Sequence, residues 1–157
     1  MKDQKKISPL ISVVMPTFNG EKFIGEAIES ILNQTFRDFE FIIVDDGSSD
    51  KTEEIVKSFS DIRIIYIKKQ ENSGISDSLN LGISTARGKY IARMDDDDVS
   101  LPMRFEEQLK IFKINSKIIV CGSISYIKKG DRISSLPEHH EDIKLGLLFN
   151  NCMLHPS

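Results

Sequence analysis

The stretch Phe39-Glu-Phe-Ile-Ile-Val44, followed by Asp45-Asp-Gly-Ser-Ser-Asp50, decides the fold. A short, almost wholly apolar run that ends abruptly in a polar turn sequence reads as a strand buried on both faces. Asp50 with Glu53 three residues later has the form of a capping box, and Ile55, Val56 and Phe59 supply the apolar side of a short helix behind it. A second β-branched run over residues 62–67 follows closely. Strand, helix and strand within about 30 residues make a βαβ unit. Its parallel return requires a right-handed crossover.

The same alternation extends in both directions. Upstream, Leu10-Ile-Ser-Val-Val-Met15 is ended by Pro16 and followed by Asn19-Gly20, which reads as a strand entering a turn. Phe23, Ile24, Ala27, Ile28, Ile31 and Leu32 then form one helical stripe, with Asn19 as the expected N-cap. Downstream, Ile75, Leu79, Ile83 and Ala86 mark a helix face, with Gly88 at the expected helix stop. Tyr90-Ile-Ala-Arg-Met94 is a fourth strand, running straight into Asp95-Asp-Asp-Asp98. Pro102, Phe105, Leu109 and Phe112 indicate a fourth helix, and Ile118-Ile-Val-Cys121 a fifth strand. Beyond Gly122 the pattern predicts a hairpin around Lys129-Gly130-Asp131 and a helix over residues 141–149. The whole is an α/β chain with a mainly parallel, Rossmann-like sheet and helices on both faces. Ligands of such sheets bind at the carboxyl ends of the strands.

With 157 residues the chain is long enough for one core of ordinary size, and one domain over residues 1–157 is expected. Charged residues make up 29% with the two signs interspersed, and the net charge of −3 argues against a strongly basic nucleic-acid surface. The first residues lack the apolar run of a signal peptide, so a cytoplasmic location is expected. Cys121 and Cys152 are expected to be reduced, packed thiols.

Three polar clusters, Thr17-Phe18-Asn19, Asp45-Asp46 and Asp95 to Asp98, each lie just past an expected strand, so the fold brings them to one edge. Adjacent carboxylates repel by about 1 kcal/mol in water at ~4 Å and about 4 near a protein surface, which a cation would relieve. Aspartate oxygens suit Mg²⁺, Mn²⁺ or Ca²⁺, and one or two direct carboxylates leave coordination positions for phosphate oxygens. An isolated acidic run is more often a solvated loop with helix caps, but placement directly after a buried strand reverses that preference. Asp-Asp-Gly-Ser is likewise a plain turn sequence, yet a carboxylate there suits the N–H of a uracil ring, with Phe18 stacking on the base. Gly82 to Tyr90 departs from a phosphate loop in spacing and position, no G-x-G-x-x-G follows the first strand, and His139, His140 and His155 lack zinc-ligand spacing.

Four segments in order resemble family 2 glycosyltransferases: Ile11-Ser-Val-Val-Met-Pro-Thr-Phe-Asn-Gly20, Ser30-Ile-Leu-Asn-Gln-Thr-Phe36, Ile43-Val-Asp-Asp-Gly-Ser48 and Ala92-Arg-Met-Asp-Asp-Asp-Asp98. The resemblance covers about Ile11 to Arg104. It implies a GT-A fold, a nucleotide-sugar donor, usually a UDP-sugar, bound Mn²⁺ or Mg²⁺, and transfer with inversion to an acceptor hydroxyl in cell-surface polysaccharide or lipopolysaccharide assembly. By position, Pro16, Thr17, Phe18 and Asp46 match the residues that hold the nucleoside, with Asp45 beside them. Asp95-Asp96-Asp97 matches the D-x-D motif, with Asp97 and Asp95 as metal ligands and Asp95 and Asp96 near the ribose and phosphates. This chain has Asp96 where Ala is frequent, and Leu79 where many relatives carry Arg. The acceptor is expected to be a saccharide or lipid-linked saccharide. The chain is expected to be truncated at its C-terminus, with the general base and any peripheral membrane attachment lying beyond residue 157. A sugar-nucleotide pyrophosphorylase and a non-catalytic nucleotide-binding module are the alternatives.

Overall fold

In the computed structural model, residues 8–123 are described, together with the backbone of residues 126–127 and 132–133. Four strands, β1 (Ile11–Thr17), β2 (Phe39–Asp45), β3 (Ile64–Lys68) and β4 (Tyr90–Arg93), alternate with helices α1 (Ile24–Leu32), α2 (Thr52–Ser58) and α3 (Ile75–Thr85). The strands form one parallel sheet in the order β3-β2-β1-β4. The chain runs outward from β1 to β3 and then returns to β1's other side, so the order reverses between β1 and β4. Thr17 pairs with Asp45 and Asp45 with Lys68, which brings the ends of three strands level. Arg93 of β4 pairs back at Val14, and the Met94 N–H continues the ladder to the Val14 carbonyl at 3.0 Å.

All seven residues of β1 and of β2 are buried, because the alternating side chains are covered on both sides. On one face Val14, Ile42 and Val44 pack against Leu79, Leu81 and Ala86 of the α3 segment and against Ile65 and Ile67. Gly82 lets α3 lie close to β1, since a Cβ there would run into the Val14 side chain. The opposite face carries Val13, Met15, Phe41 and Ile43, and α1 contributes the fully buried Ile24, Ile28 and Ile31. Burying a side chain of this size is worth about 1.5–3 kcal/mol, so these two layers supply the drive for the sheet.

Several expected local features take another form. Asn19 does not cap α1. It lies at φ 54° and bridges to the next loop, accepting the Ser49 N–H at 3.0 Å and donating its own N–H to Ser48 Oγ at 2.9 Å. Asp50 accepts the Thr52 N–H at 2.9 Å, but Glu53 turns to Lys57 and Lys68 and does not reach back. Glu21 takes that place from the turn before α1, accepting the Lys51 N–H at 3.1 Å, while its own N–H goes to Asp50. Gly88 does not end the helix in a left-handed turn. It passes so near β1 that a Cβ would lie 2.5 Å from the Ser12 nitrogen.

The chain divides into two compact units, Met1–Phe105 and Glu106–Ser157, with α4 (Arg104–Ile114) beginning in the first and continuing in the second. Within the second, residues 118–121 form no strand: Ile119 and Val120 are exposed, and no strand pairs with this run among the described residues. Cys121 is a part-buried thiol. The expected hairpin is present as antiparallel β5 (Tyr126–Ile127) and β6 (Arg132–Ile133). The helix expected over residues 141–149, Cys152 and the three histidines lie outside the described residues. No helix among the described residues is long and apolar enough to cross a membrane.

Candidate functional site

The end of β1, the end of β2, the start of α3 and the loop after β4 enclose a cavity of ≈ 260 Å³ at the carboxyl edge of the sheet. Pro16, Thr17 and Phe18 form one wall, with the Phe18 ring about half exposed. Asp46, Asn72, Gly74, Ile75 and Ser78 form another, and Asp96 closes the side nearest β4. The site therefore sits where strand order reverses, as expected for an open parallel sheet.

Adjacent aspartates after β2 have opposite surroundings. Asp45 is fully buried and outside the cavity lining, accepting the Ser48 N–H at 2.8 Å and the Tyr66 hydroxyl at 2.5 Å. Burial, and then the Asp45 carboxylate, raise the Tyr66 pKa, keeping it a donor. Asp46 faces the cavity and ties down the loop that forms its far wall. Its Oδ1 accepts from Lys69 Nζ and from the Ser73 N–H at 3.1 Å, and its Oδ2 from the Gly74 N–H at 2.9 Å. Burial works to raise the Asp46 pKa, but these hydrogen bonds and the Lys69 charge outweigh it and hold the carboxyl below its usual range. Lys69 also donates to the hydroxyls of Ser73 and Ser78.

The four aspartates after β4 make one tight turn, with Asp96 and Asp97 at its corners and the Asp98 N–H 3.4 Å from the Asp95 carbonyl. Asp95 is buried and pairs with Arg93, at 3.1 Å to Nε and 3.3 Å to Nη2. Asp96 accepts the Thr17 hydroxyl across the gap between β1 and β4. Asp97 is exposed and takes no side-chain partner among the described residues. Burial pushes Asp95, Asp96 and Asp98 above the usual carboxylate range, and the neighbouring carboxylates add to it. Among the described residues no group of three or more His, Cys, Asp and Glu could hold a metal ion by itself. This donor set fits a hard divalent cation held jointly by one or two aspartates and the oxygens of a bound phosphate.

Gln34 holds the exit of this acidic turn from the end of α1. Fully buried, it donates to the Leu101 carbonyl at 2.7 Å and accepts the Phe105 N–H at 3.2 Å. Ser30 Oγ accepts the Ser100 N–H at 3.0 Å, and the Thr35 N–H reaches the Pro102 carbonyl at 2.9 Å. These contacts give the segment from Ser30 to Phe36 a physical role that its sequence alone did not reveal. Lys69, Asn72, Gly74 and Ser78 also escaped the sequence reading. Lys69 lies just past β3, the same placement that singled out the three aspartate-bearing and threonine-bearing clusters.

The chain matches the model of glycosyl transferase family 2 over residues 12–154. It is 43% identical to an uncharacterized glycosyltransferase of Methanocaldococcus jannaschii, over 95% of this chain and 54% of that one. The chain spans about half the length, or less, of the curated relatives it matches. Among solved structures it is similar to S. aureus TarS in complex with UDP-GlcNAc, with a TM-score of 0.65 and 28% identity over 68% of this chain and 32% of that one. It is also similar to the mannosyltransferase PcManGT from Pyrobaculum calidifontis in complex with GDP-Man and Mn²⁺, with a TM-score of 0.54 and 25% identity over 60% of this chain and 29% of that one. The parallel sheet with its cavity at the β1/β4 reversal has the GT-A architecture, and the chain belongs to glycosyl transferase family 2.

Proposed function

We propose that residues 8–105 form the donor-binding part of an enzyme that transfers a sugar from a nucleotide diphosphate, of which a UDP-sugar fits best, to an acceptor hydroxyl with inversion. The carrying observation is the cavity that joins an aromatic face, Phe18, and a fixed carboxylate, Asp46, to an acidic turn containing Asp96. An aromatic face stacks on any base, whereas a carboxylate at its edge selects a base that presents an N–H. Cell-surface polysaccharide assembly on the cytoplasmic side, with a saccharide or lipid-linked saccharide acceptor, is the setting consistent with this reading.

Asp97 is the first choice to hold Mn²⁺ or Mg²⁺, since its carboxylate is exposed at the corner of the turn, and Asp95 is the second. When bound, such a cation neutralises charge that builds on the departing diphosphate. In the transfer, the acceptor oxygen bonds to the anomeric carbon as the bond from that carbon to the diphosphate breaks, and the hydroxyl proton passes to a base. The residues described here bind and orient the donor. Phe18 and Asp46 fix the base, the loop held by Lys69 excludes water from it, and Gln34 keeps the acidic turn in place.

Calorimetric titration of UDP with and without Mn²⁺ tests this reading. The parent should bind UDP in a Mn²⁺-dependent way, and Asp97→Asn should weaken that binding at least 10-fold while leaving the fold intact. Equal, Mn²⁺-dependent affinities in parent and variant would remove Asp97 from the metal site.

A further inference from the structure

The acidic turn after β4 carries cations of its own. Arg93 and Asp95 stand two positions apart at the end of a strand and so share a side of the chain. The Arg93 guanidinium grips both oxygens of Asp95, Nε to Oδ1 at 3.1 Å and Nη2 to Oδ2 at 3.3 Å. The Asp95 carboxylate is 8% exposed and the Arg93 side chain 27%. Arg104, at the start of α4, donates to the Arg93 carbonyl at 2.8 Å, and its charge together with that of Arg93 acts on Asp98. Asp96 accepts the Thr17 hydroxyl. Asp97 stands exposed at the corner, with no side-chain partner among the described residues.

The fork on Asp95 changes what the turn offers a metal ion. A bidentate guanidinium–carboxylate pair is among the strongest of charged contacts, and here it engages both oxygens. A divalent cation bonded at ~2.1 Å to either oxygen would stand within roughly 5–6 Å of the guanidinium, where the two positive charges repel. Burial penalises the charged form of Asp95 most, and the Arg93 charge and hydrogen bonds work against that penalty. Giving Asp95 to a cation therefore costs the pair as well as the repulsion. One exposed carboxylate by itself holds a hard cation weakly, whereas diphosphate oxygens add further anionic ligands.

We infer that Arg93 is a positioning residue that withholds Asp95 from the divalent cation, so that the turn takes the cation weakly through Asp97 and holds it firmly only with a diphosphate in place. The inference rests on the proposed donor reading and adds a coupling to it. Cation and nucleotide each tighten the other, by the same factor. Without Arg93 the turn would capture a cation before any donor arrived.

The experiment titrates Mn²⁺ without nucleotide, following the free ion by electron paramagnetic resonance, for the parent and for variants whose thermal unfolding verifies the fold. Arg93→Met removes the charge and the fork together, and should tighten Mn²⁺ by about 10-fold or more. Adding Asp95→Asn to Arg93→Met should remove that gain, because the gain consists of Asp95 becoming a ligand. In the parent, Asp95→Asn should weaken Mn²⁺ by about 3-fold or less and Asp97→Asn by about 10-fold or more. Should Arg93→Met not fold, Arg93→Lys decides by the same pair of measurements, since it keeps the charge but loses the fork, with a smaller gain of about 3-fold. No gain in the Arg93 variants overturns the inference. A gain that survives Asp95→Asn overturns it too, because Arg93 would then act only through the overall field. UDP should tighten Mn²⁺ in the parent by about 10-fold or more. A parent that binds no UDP with Mn²⁺ overturns the donor reading, while the titrations without nucleotide still decide whether Arg93 withholds Asp95.

Discussion

Replacing Asp46 with alanine removes both oxygens that hold the loop over residues 69–74 against the end of β2. The carboxylate is 5% exposed and its ion-pair partner, the Lys69 side chain, 17%. Removing one partner of a buried pair costs about 3–5 kcal/mol, and hydrogen bonds to a charged group about 1.5–3 each. Lys69 retains the Ser73 and Ser78 hydroxyls, and Ser73 is exposed enough for its N–H to find water. The net loss therefore falls below the full cost of a buried charge left unpaired, at about 2–4 kcal/mol. With an m-value of about 2 kcal/mol/M, the urea midpoint should fall by about 1–2 M. The loss also depends on pH. Because the folded Asp46 pKa lies below its ordinary 3.8, its contribution is complete above that value and disappears as pH falls through the lower, folded one. The gap between parent and variant should thus be full at pH 7 and shrink below pH 3.8. The same variant should lose much of its preference for UDP over ADP, since a purine cannot use an acceptor placed for the uracil imide. A midpoint shift below about 0.3 M together with unchanged base preference would refute the reasoning, because neither the loop tether nor the base contact would then depend on this carboxylate.

Two further substitutions probe the opposite end of the sheet. Gly88→Ala places a methyl group 2.5 Å from the Ser12 nitrogen and 2.7 Å from the Ile11 carbonyl carbon, both main-chain atoms of β1 that cannot swing aside. It should cost about 1–3 kcal/mol as over-packing, read as a thermal midpoint lower by several degrees, and an unchanged midpoint contradicts the close approach. Glu40 is buried and accepts from Ser12 Oγ at 2.6 Å and from the Arg87 N–H, Nε and Nη2 at 2.5–2.8 Å. Burial raises its pKa, but the hydrogen bonds from Ser12 and Arg87 prevail and leave it below 4.5. Its contribution is present above that pH and is lost as pH falls through the folded value. The stability advantage of the parent over Glu40→Gln at pH 7 should accordingly narrow in acid, and a gap that stays constant down to pH 2.5 counts against this ion pair.

The sequence by itself determined the parallel α/β class, because the hydrophobic period is a local property. Phe39 to Val44 can bury both faces only between covered neighbours, and Ile24, Ile28 and Ile31 can share a face only on a helix. It also placed Thr17, Asp46 and the acidic turn at one edge of the sheet, since each follows a strand. The division of labour among neighbouring aspartates was decided only by the tertiary structure. Asp45 and Asp46 differ by one residue, but the first meets Tyr66 inside the fold and the second meets Lys69 and Gly74 at the cavity. Asp95, Asp96 and Asp97 are identical letters whose surroundings are set by Arg93, by Thr17 and by solvent respectively. Gln34 likewise gains its role from partners some 66–71 positions away. Residues 118–121 form no strand although their composition favours one, because a strand needs a partner beside it and a surface to cover it, and among the described residues this run has neither. Desolvation, hydrogen-bond satisfaction and charge pairing depend on groups brought together from distant parts of the chain, and no local pattern encodes which of several equivalent side chains will meet them.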